Sequence, residues 1–224
     1  MNLNCLIDHT LLAPTATAAD IRRLCDEARS HDLFAVCVNS AWVSLSAAAL
    51  ADCPVRVASV IGFPLGAQLT AAKADEARLA LQAGAAELDM VIALGPLLSG
   101  DTAYVRGDIA AVVAAAKEQM AEAVVKVILE TAALTGEQIA CACKLARAAG
   151  ADFVKTSTGF LDAKLALPGQ TGGATVEAVE LMRHTVGDTM GVKASGGIST
   201  RAQAEALVAA GATRLGTSRS LALL

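Results

Sequence analysis

The sequence has few aromatic residues, no long apolar run and no run of basic residues. Phe, Trp and Tyr make up 3% of the 224 residues, although 54% of the chain is hydrophobic. The core must therefore be built from Ala, Val, Leu and Ile, which suits parallel strands buried on both faces and the helices that cover them. A chain of this length can bury such a core without disulfides or a structural metal.

The same shortages exclude several classes of function. The formal net charge is −4 and the basic residues are dispersed, so the electrostatic signature of a nucleic-acid-binding protein is missing. No uninterrupted apolar stretch approaches the ~18 residues of a membrane span. The segment Met1–Leu12 carries Asp8 and has no cationic start, unlike a secretory signal. We expect a cytoplasmic protein that binds neither nucleic acid nor a membrane.

None of the six cysteines belongs to a metal or redox motif. No Cys-x-x-Cys pair occurs, and Cys141 and Cys143 are too close in sequence to hold a zinc ion by themselves. Buried, reduced thiols are expected, because free cysteine packs as a small hydrophobic residue. Only Cys37 is kept as a candidate site residue.

Short apolar segments alternate with longer amphipathic ones along the chain. The predicted strands are Cys5–Asp8, Phe34–Asn39, Val55–Ile61, Glu87–Ile92, Val124–Leu129, Phe153–Thr156, Val192–Ser195 and Arg214–Gly216. The predicted helices are Ala18–Ser30, Ala41–Leu50, Thr70–Ala83, Tyr104–Glu118, Gly136–Ala149, Thr175–Thr185 and Thr200–Ala210. This alternation indicates βαβ units and a parallel sheet. Eight regularly spaced strands favour a closed (β/α)8 TIM barrel, with residues 1–224 as one α/β domain.

A weak internal repeat supports this architecture. An Ala-Gly-Ala triplet precedes a predicted strand three times, centred on Gly84, Gly150 and Gly211. Glycine just after a helix accepts the left-handed conformation that ends the helix. The one irregular stretch, Gly159–Gly173, follows strand six on the face where barrels carry their active sites. It is either a lid or substrate loop, or an ordinary insertion.

Polar residues on the predicted central strands are the most informative, because burying a charge in a barrel core is costly. Lys126, Lys155 and Lys193 interrupt the apolar pattern of strands five, six and seven, and Asp89 interrupts strand four. A free amine with a pKa near ~10.4 is almost wholly protonated at neutral pH. Burial and a neighbouring ammonium both favour the neutral form, which can attack a carbonyl to make an iminium. The alternative is that the lysines only pair with carboxylates such as Asp89 or Glu130.

Two loops of small residues are predicted to bind phosphate. Ser195–Gly197 ends strand seven and continues into its loop, and Gly216–Ser218 stands in the same place after strand eight. In barrels these two loops commonly hold phosphate through backbone N–H groups. A single Gly-Gly pair would more often be an ordinary turn, but two such loops at the two expected places favour a phosphate site.

Seven motifs, in one order along nearly the whole chain, resemble those of the deoxyribose-phosphate aldolase family. They are Ile7–Leu12, Val36–Asn39, Val60–Gly66, Glu87–Val91, Lys126–Thr131, Lys155–Phe160 and Val192–Gly197. The resemblance implies a class I aldolase that reversibly cleaves 2-deoxy-D-ribose 5-phosphate to D-glyceraldehyde 3-phosphate and acetaldehyde.

The resemblance also implies roles for individual residues. Lys155 would be the Schiff-base nucleophile, Lys193 the second cation that favours its neutral form, and Asp89 the proton carrier. The substrate would be lined by Asp8, Cys37, Thr158, Gly196, Gly197, Gly216 and Ser218, the last four around the phosphate. No metal or cofactor is implied, since a protonated imine is itself the electron sink. Sugar phosphates and aldehydes are the expected partners, and a homodimer is expected by analogy alone.

Some positions depart from the family pattern. Ala13 and Ala93 stand where many members have Lys and Asn, and Phe160 replaces a lysine that some members place near the phosphate. The Asp162–Gln170 stretch is longer than usual, and the chain ends at Leu224 without the tyrosine tail that assists proton transfer in some members. We expect the Schiff-base chemistry to be kept, and phosphate affinity and enamine protonation to be altered.

Two other interpretations stay open. One is a related Schiff-base or phosphate-binding barrel, such as a transaldolase-like enzyme or an aldolase for unphosphorylated aldehydes. The other is a non-enzymatic barrel that binds sugar phosphates or serves as a scaffold. The presence of Lys155, Lys193 and Asp89 argues against the second, because a degenerate enzyme has no reason to keep a costly buried lysine pair.

Overall fold

The computed structural model describes residues 2–170 and 172–224, and within them eight parallel strands close into a barrel. Each strand pairs with the next in sequence, and the last pairs with the first, so the predicted TIM barrel is confirmed. The strands are β1 (Ile7–Leu11), β2 (Ala35–Val38), β3 (Arg56–Ile61), β4 (Glu87–Val91), β5 (Val124–Ile128), β6 (Phe153–Lys155), β7 (Gly191–Ser195) and β8 (Arg214–Thr217). Met1 and Thr171, which fall in two of the segments considered above, lie outside the described residues.

Helices between consecutive strands cover the outside of the barrel. They are α1 (Ala18–Ser30), α2 (Val43–Ala49), α3 (Thr70–Gln82), α4 (Leu94–Leu98), α5 (Thr102–Gln119), α6 (Gly136–Ala148), α7 (Val176–Val186) and α8 (Arg201–Ala209). Thr17, Thr135 and Thr200 begin three of them with reciprocal side-chain caps. In the described ranges no helix is long and apolar enough to cross a membrane.

The first strand differs from its predicted position. It was expected at Cys5–Asp8, but β1 starts at Ile7 and continues to Leu11, because Asn4–Leu6 form a 3₁₀ turn before it. Asp8 and His9 therefore lie within the strand rather than at its end.

Helix α4 is missing from the sequence prediction. Its Gly95-Pro96 pair is typical of a turn, which conceals the helix. Proline is tolerated there because the N–H groups of a first helical turn have no partner inside the helix. The glycine helix ends are as expected: Gly84, Gly150 and Gly211 have φ of 109°, 83° and 112°.

The apolar core lies between the barrel and the helices, whereas the barrel interior is largely charged. The outer layer is built from Ala, Val, Leu, Ile and Met side chains and accounts for the low aromatic content. Inside the barrel a small apolar cluster of Leu12, Cys37, Ala58 and Val60 packs against Phe63. The remaining inward positions include the strand lysines and carboxylates, which define the candidate site.

Candidate active site

The pairing of the strands places the charged residues side by side. Asp89 is in register with Lys126, and Lys155 is in register with Lys193. Lys155 is 3% exposed, and the other three are fully buried. Because side chains alternate between the two faces along each strand, these four residues all point inward and form one cluster inside the barrel.

Asp89 is the centre of this cluster. Its Oδ1 accepts a hydrogen bond from Lys126 Nζ at 2.8 Å, and its Oδ2 accepts from Lys155 Nζ at 2.8 Å and Lys193 Nζ at 2.7 Å. Burial opposes the charge of this carboxyl, but the three ammonium groups outweigh burial and hold its pKa well below the ordinary value. Asp89 is thus an anion shared by three amines.

Two of the three lysines have a second carboxylate. Lys126 Nζ lies 2.6 Å from Glu87 Oε2, and Lys193 Nζ contacts Asp8 Oδ2. Burial disfavours both ammonium groups, yet the neighbouring carboxylates raise the pKa of Lys126 and of Lys193. The surrounding carboxylates therefore favour the charged form of both lysines, which is the form that the expected role of Lys193 as a second cation requires.

Lys155 has a different environment. Among the described residues its one ion-pair partner is Asp89, through the same oxygen that Lys193 contacts. It is also the one lysine of the cluster that lines a cavity. Lys155 is therefore both the least compensated of the three amines and the one that a ligand can reach.

An arginine at the start of β8 completes the charged interior and was not predicted. Arg214 contacts Asp8 Oδ1 at 2.9 Å and Glu87 Oε2 at 3.1 Å, and its guanidinium lies 3.5 Å from the centroid of the Phe34 ring. The signal was the same as for the lysines, a charge on a predicted central strand. Arg214 links the two carboxylates that neutralise Lys126 and Lys193.

A cavity of about 590 Å³ opens at the carboxyl ends of the strands. Its lining comes from the carboxyl ends of β1, β6, β7 and β8 and from the loops that follow them. Of the candidate site residues it includes Lys155, Thr158, Gly196, Gly197, Gly216 and Ser218. Pro14, Ile198 and Ser199 also line the cavity, and they lie outside the segments that the sequence analysis singled out.

The other four candidates, Asp8, Cys37, Asp89 and Lys193, are fully buried and do not line this cavity. Cys37 Sγ lies 4.0 Å from Asp89 Oδ2, and burial together with the Asp89 charge raises the pKa of its thiol. The carboxylate of Asp8 is occupied by Lys193 and Arg214. Direct substrate contact by Asp8 and Cys37 stays a prediction.

The two small-residue loops follow neighbouring strands, and both line the cavity. Gly196 and Gly197 have φ of 90° and 73°, a conformation that favours glycine, and a Cβ on Gly197 would meet no atom within 4 Å. Gly197 therefore borders open space, and its backbone is free to contact a ligand there. Arg219 also lines the cavity, so a cation stands beside these loops.

Phe160 gives the cavity an apolar edge where some family members have lysine. It is 49% exposed, lines the cavity and packs edge-on against Phe63, with 5.2 Å between the ring centroids. This pair brings aromatic surface to the mouth of the site.

The closed parallel barrel, its buried lysine cluster and the cavity at the carboxyl ends of its strands define the class of protein, a (β/α)8-barrel enzyme. Residues 3–219 match the family described as "DeoC/LacD family aldolase". The chain belongs to this family.

Relatives from three organisms agree with this assignment. A deoxyribose-phosphate aldolase of Clostridium novyi is 52% identical over 224 residues, which are all of this chain and 96% of the relative. One of Enterococcus faecalis is 51% identical with the same coverage. The structure of a tetrameric deoxyribose phosphate aldolase from Aeropyrum pernix has a TM-score of 0.87 at 36% identity, covering 99% of this chain and 88% of that one.

Proposed function

We propose that this chain is a deoxyribose-phosphate aldolase that works through a Schiff base on Lys155. The observation that carries the proposal is that Lys155, alone among the three clustered lysines, borders the cavity. The names of the relatives supply the substrate, and the two glycine-containing loops beside the cavity suit a phosphate. The proposal treats residues 1–224 as one barrel domain.

The reaction begins at the neutral amine of Lys155. It attacks C1 of the open-chain sugar, and the carbinolamine that forms loses water to give a protonated imine. The ammonium of Lys193, which shares Asp89 Oδ2 with Lys155, disfavours a second positive charge on the attacking amine. Asp89 lies 2.8 Å from Lys155 Nζ, within range to accept and return protons at this step.

Cleavage then uses the imine as the electron sink. The C2–C3 bond breaks, its electron pair forms an enamine, and the proton of the C3 hydroxyl leaves to a base as D-glyceraldehyde 3-phosphate departs. Protonation of the enamine at C2 and hydrolysis of the resulting imine release acetaldehyde and regenerate the amine. Every step needs proton transfer close to Lys155 Nζ, and Asp89 is the carboxylate in hydrogen-bond contact with that atom.

The phosphate is assigned to the loops after β7 and β8. Gly196, Gly197, Gly216 and Ser218 border the cavity and offer backbone donors, which are sufficient to hold a phosphate. We expect deoxyribose 5-phosphate to be preferred over free deoxyribose chiefly through KM. The Phe160 edge in place of lysine should narrow that preference.

The test is kcat/KM for both sugars in the parent enzyme and in Ser218→Asp. The added carboxylate repels the phosphate, so the preference for the phosphorylated sugar should disappear while cleavage of free deoxyribose is nearly unchanged. Ser218→Thr, which keeps the hydroxyl and adds no charge, is the matched control. A parent enzyme that cleaves the two sugars equally well would favour an aldolase for unphosphorylated aldehydes.

A further inference from the structure

Glu130 has a backbone conformation that residues other than glycine rarely adopt. It lies two residues after the end of β5, with φ 61° and ψ 59°, and the residue is buried, with 4% of its surface exposed. Left-handed conformations of non-glycine residues persist only where the surrounding structure enforces them, and they concentrate at functional sites. The mechanism above does not use this carboxyl group.

The unusual conformation brings the chain after β5 against the chain after β6. Thr131 N donates to Thr156 O at 3.0 Å, one residue beyond Lys155. The Glu130 carboxylate accepts from Thr158 N at 3.3 Å and also from the Thr158 hydroxyl. Glu130 therefore holds both polar groups of a residue that lines the cavity.

These contacts fix the direction of the Thr158 hydroxyl. Its single hydrogen points to Glu130, and its oxygen accepts from Phe160 N at 3.0 Å. A hydroxyl has one hydrogen to donate. Thr158 therefore cannot donate to a ligand while Glu130 holds it, and it can contact the sugar only through its oxygen or its methyl group.

The loop that starts at Thr158 is attached to the same support. Leu167 N donates to Ala132 O at 2.8 Å, two residues after Glu130. At the far end of the loop, Ala174 N donates to Gly196 O at 3.0 Å. Leu167 therefore ties the loop to the turn after β5, and Ala174 ties it to the proposed phosphate loop.

The charge of Glu130 is tied to the site as well. Burial raises the pKa of its carboxyl, while the hydrogen bonds from Thr158 and the charge of Lys155 act in the opposite direction. The carboxyl therefore responds to the same amine that carries the chemistry, although its hydrogen-bond partner is Thr158.

Resting on the function proposed above, we infer that Glu130 is a positioning residue, whose carboxylate holds Thr158 and the start of the β6–α7 loop around the sugar bound at Lys155. Its strained backbone is what aims the carboxylate at this loop. Glu130 acts on the bound sugar indirectly, by holding Thr158 in place.

Three variants separate this role from a general contribution to stability. Glu130→Gly removes the carboxylate and relieves the left-handed backbone, and Glu130→Gln keeps an acceptor for Thr158 N. Asp32→Gly is the matched control, since Asp32 is another non-glycine residue with positive φ, 49°, but is exposed at the end of α1 opposite to the cavity mouth. The readouts are Tm, kcat and KM for deoxyribose 5-phosphate, and the rate of trypsin cleavage at Lys164, the one trypsin site between Lys155 and Arg183.

We expect KM to rise about 10-fold or more in Glu130→Gly, the loss expected when hydrogen bonds to a charged group are removed. Tm should stay or rise, and cleavage at Lys164 should accelerate. Glu130→Gln should recover part of the KM, and Asp32→Gly should match the parent in KM and in cleavage at Lys164. A Glu130→Gly enzyme with parental KM and parental cleavage at Lys164 would overturn the inference, as would one that fails to fold while Glu130→Gln is parental.

The proposed function fails separately, if the parent does not cleave deoxyribose 5-phosphate. The trypsin comparison between Glu130→Gly and Asp32→Gly then still decides whether Glu130 anchors the loop.

Discussion

Lys193 and Lys73 are both fully buried and both paired with carboxylates, yet they lie in different regions of the molecule. Lys193 is inside the barrel between Asp8 and Asp89. Lys73 is on α3, where its Nζ lies 2.7 Å from Asp108 Oδ2 on α5 and donates to Val91 O at 3.1 Å. The first ion pair is part of a shared cluster, and the second joins two helices to the end of β4.

The difference shows which feature points to chemistry. A buried lysine that is paired with a carboxylate has by itself only a structural role, because its charge is neutralised and its N–H groups already donate hydrogen bonds. Around Lys193 the matching carboxylate also contacts a second amine, Lys155, which opens onto a cavity. Under the proposed function, the sharing of Asp89 among three amines, one of them accessible from the cavity, is the feature that makes the barrel cluster reactive.

The largest expected effect comes from replacing each of the two buried lysines by leucine. Lys73→Leu should lose about 3–5 kcal/mol of unfolding free energy, because it leaves the buried carboxylate of Asp108 without its cation. Lys193→Leu should lose less, because Arg214 still pairs with Asp8 and Lys126 still pairs with Asp89. Only Lys193→Leu should also lose about 10²-fold or more in kcat and move the acidic limb of kcat/KM to higher pH. Chemical denaturation and pH-rate profiles measure both. Equal losses of kcat in the two variants would contradict the claim that Lys193 acts in catalysis and Lys73 only in stability.

A smaller effect is expected from Asp8→Asn, which weakens the barrel cluster without removing a lysine. Burial opposes the charge of Asp8, but Lys193, Lys126 and Arg214 hold its pKa below the ordinary 3.8. Stability from a lowered carboxyl pKa is present above the unfolded value and is lost as pH falls through the folded one. The variant should therefore be less stable by about 1–3 kcal/mol at pH 7, and the deficit should shrink below about pH 4. A deficit that is constant between pH 7 and pH 3 would contradict this account.

The smallest effect on activity is expected from modifying the thiols, where a buried group in the outer core is compared with an exposed one. Burial raises the pKa of Cys143 to about 12, whereas Cys5 is exposed. Since the thiolate is the reactive form, a thiol reagent at pH 8 should modify Cys5 first and Cys143 only after unfolding, with little change in kcat. Peptide mapping of the modified protein checks the order. Modification of Cys143 at the rate of Cys5 would show that the outer core opens more readily than its packing implies.

Much of the fold was predictable because it depends on local patterns. Apolar runs of four to seven residues and glycine helix ends each act within a few residues, and they predicted the barrel and most element positions. The exceptions follow the same logic. The 3₁₀ turn at Asn4–Leu6 and the Pro-containing helix Leu94–Leu98 carry no periodic signal.

The charged part of the candidate site was predictable where a charge broke an apolar strand. That signal identified Lys126, Lys155, Lys193 and Asp89, but it could not show which carboxylate faces which amine, since register depends on the closed sheet. Lys73 escaped notice because a lysine on a helix looks like an ordinary surface residue. The strain at Glu130 depends on its φ and ψ angles, which cannot be predicted from the residue type.

The central claim is that Lys155 is the reactive amine among several buried lysines. Incubation with acetaldehyde and borohydride, followed by peptide mass spectrometry, tests it directly. We expect one ethyl group on Lys155 and none in Lys155→Ala, which should stay folded because Lys126 and Lys193 still neutralise Asp89. Stoichiometric labelling of Lys126 or Lys193, or of the Lys155→Ala protein, would contradict the account.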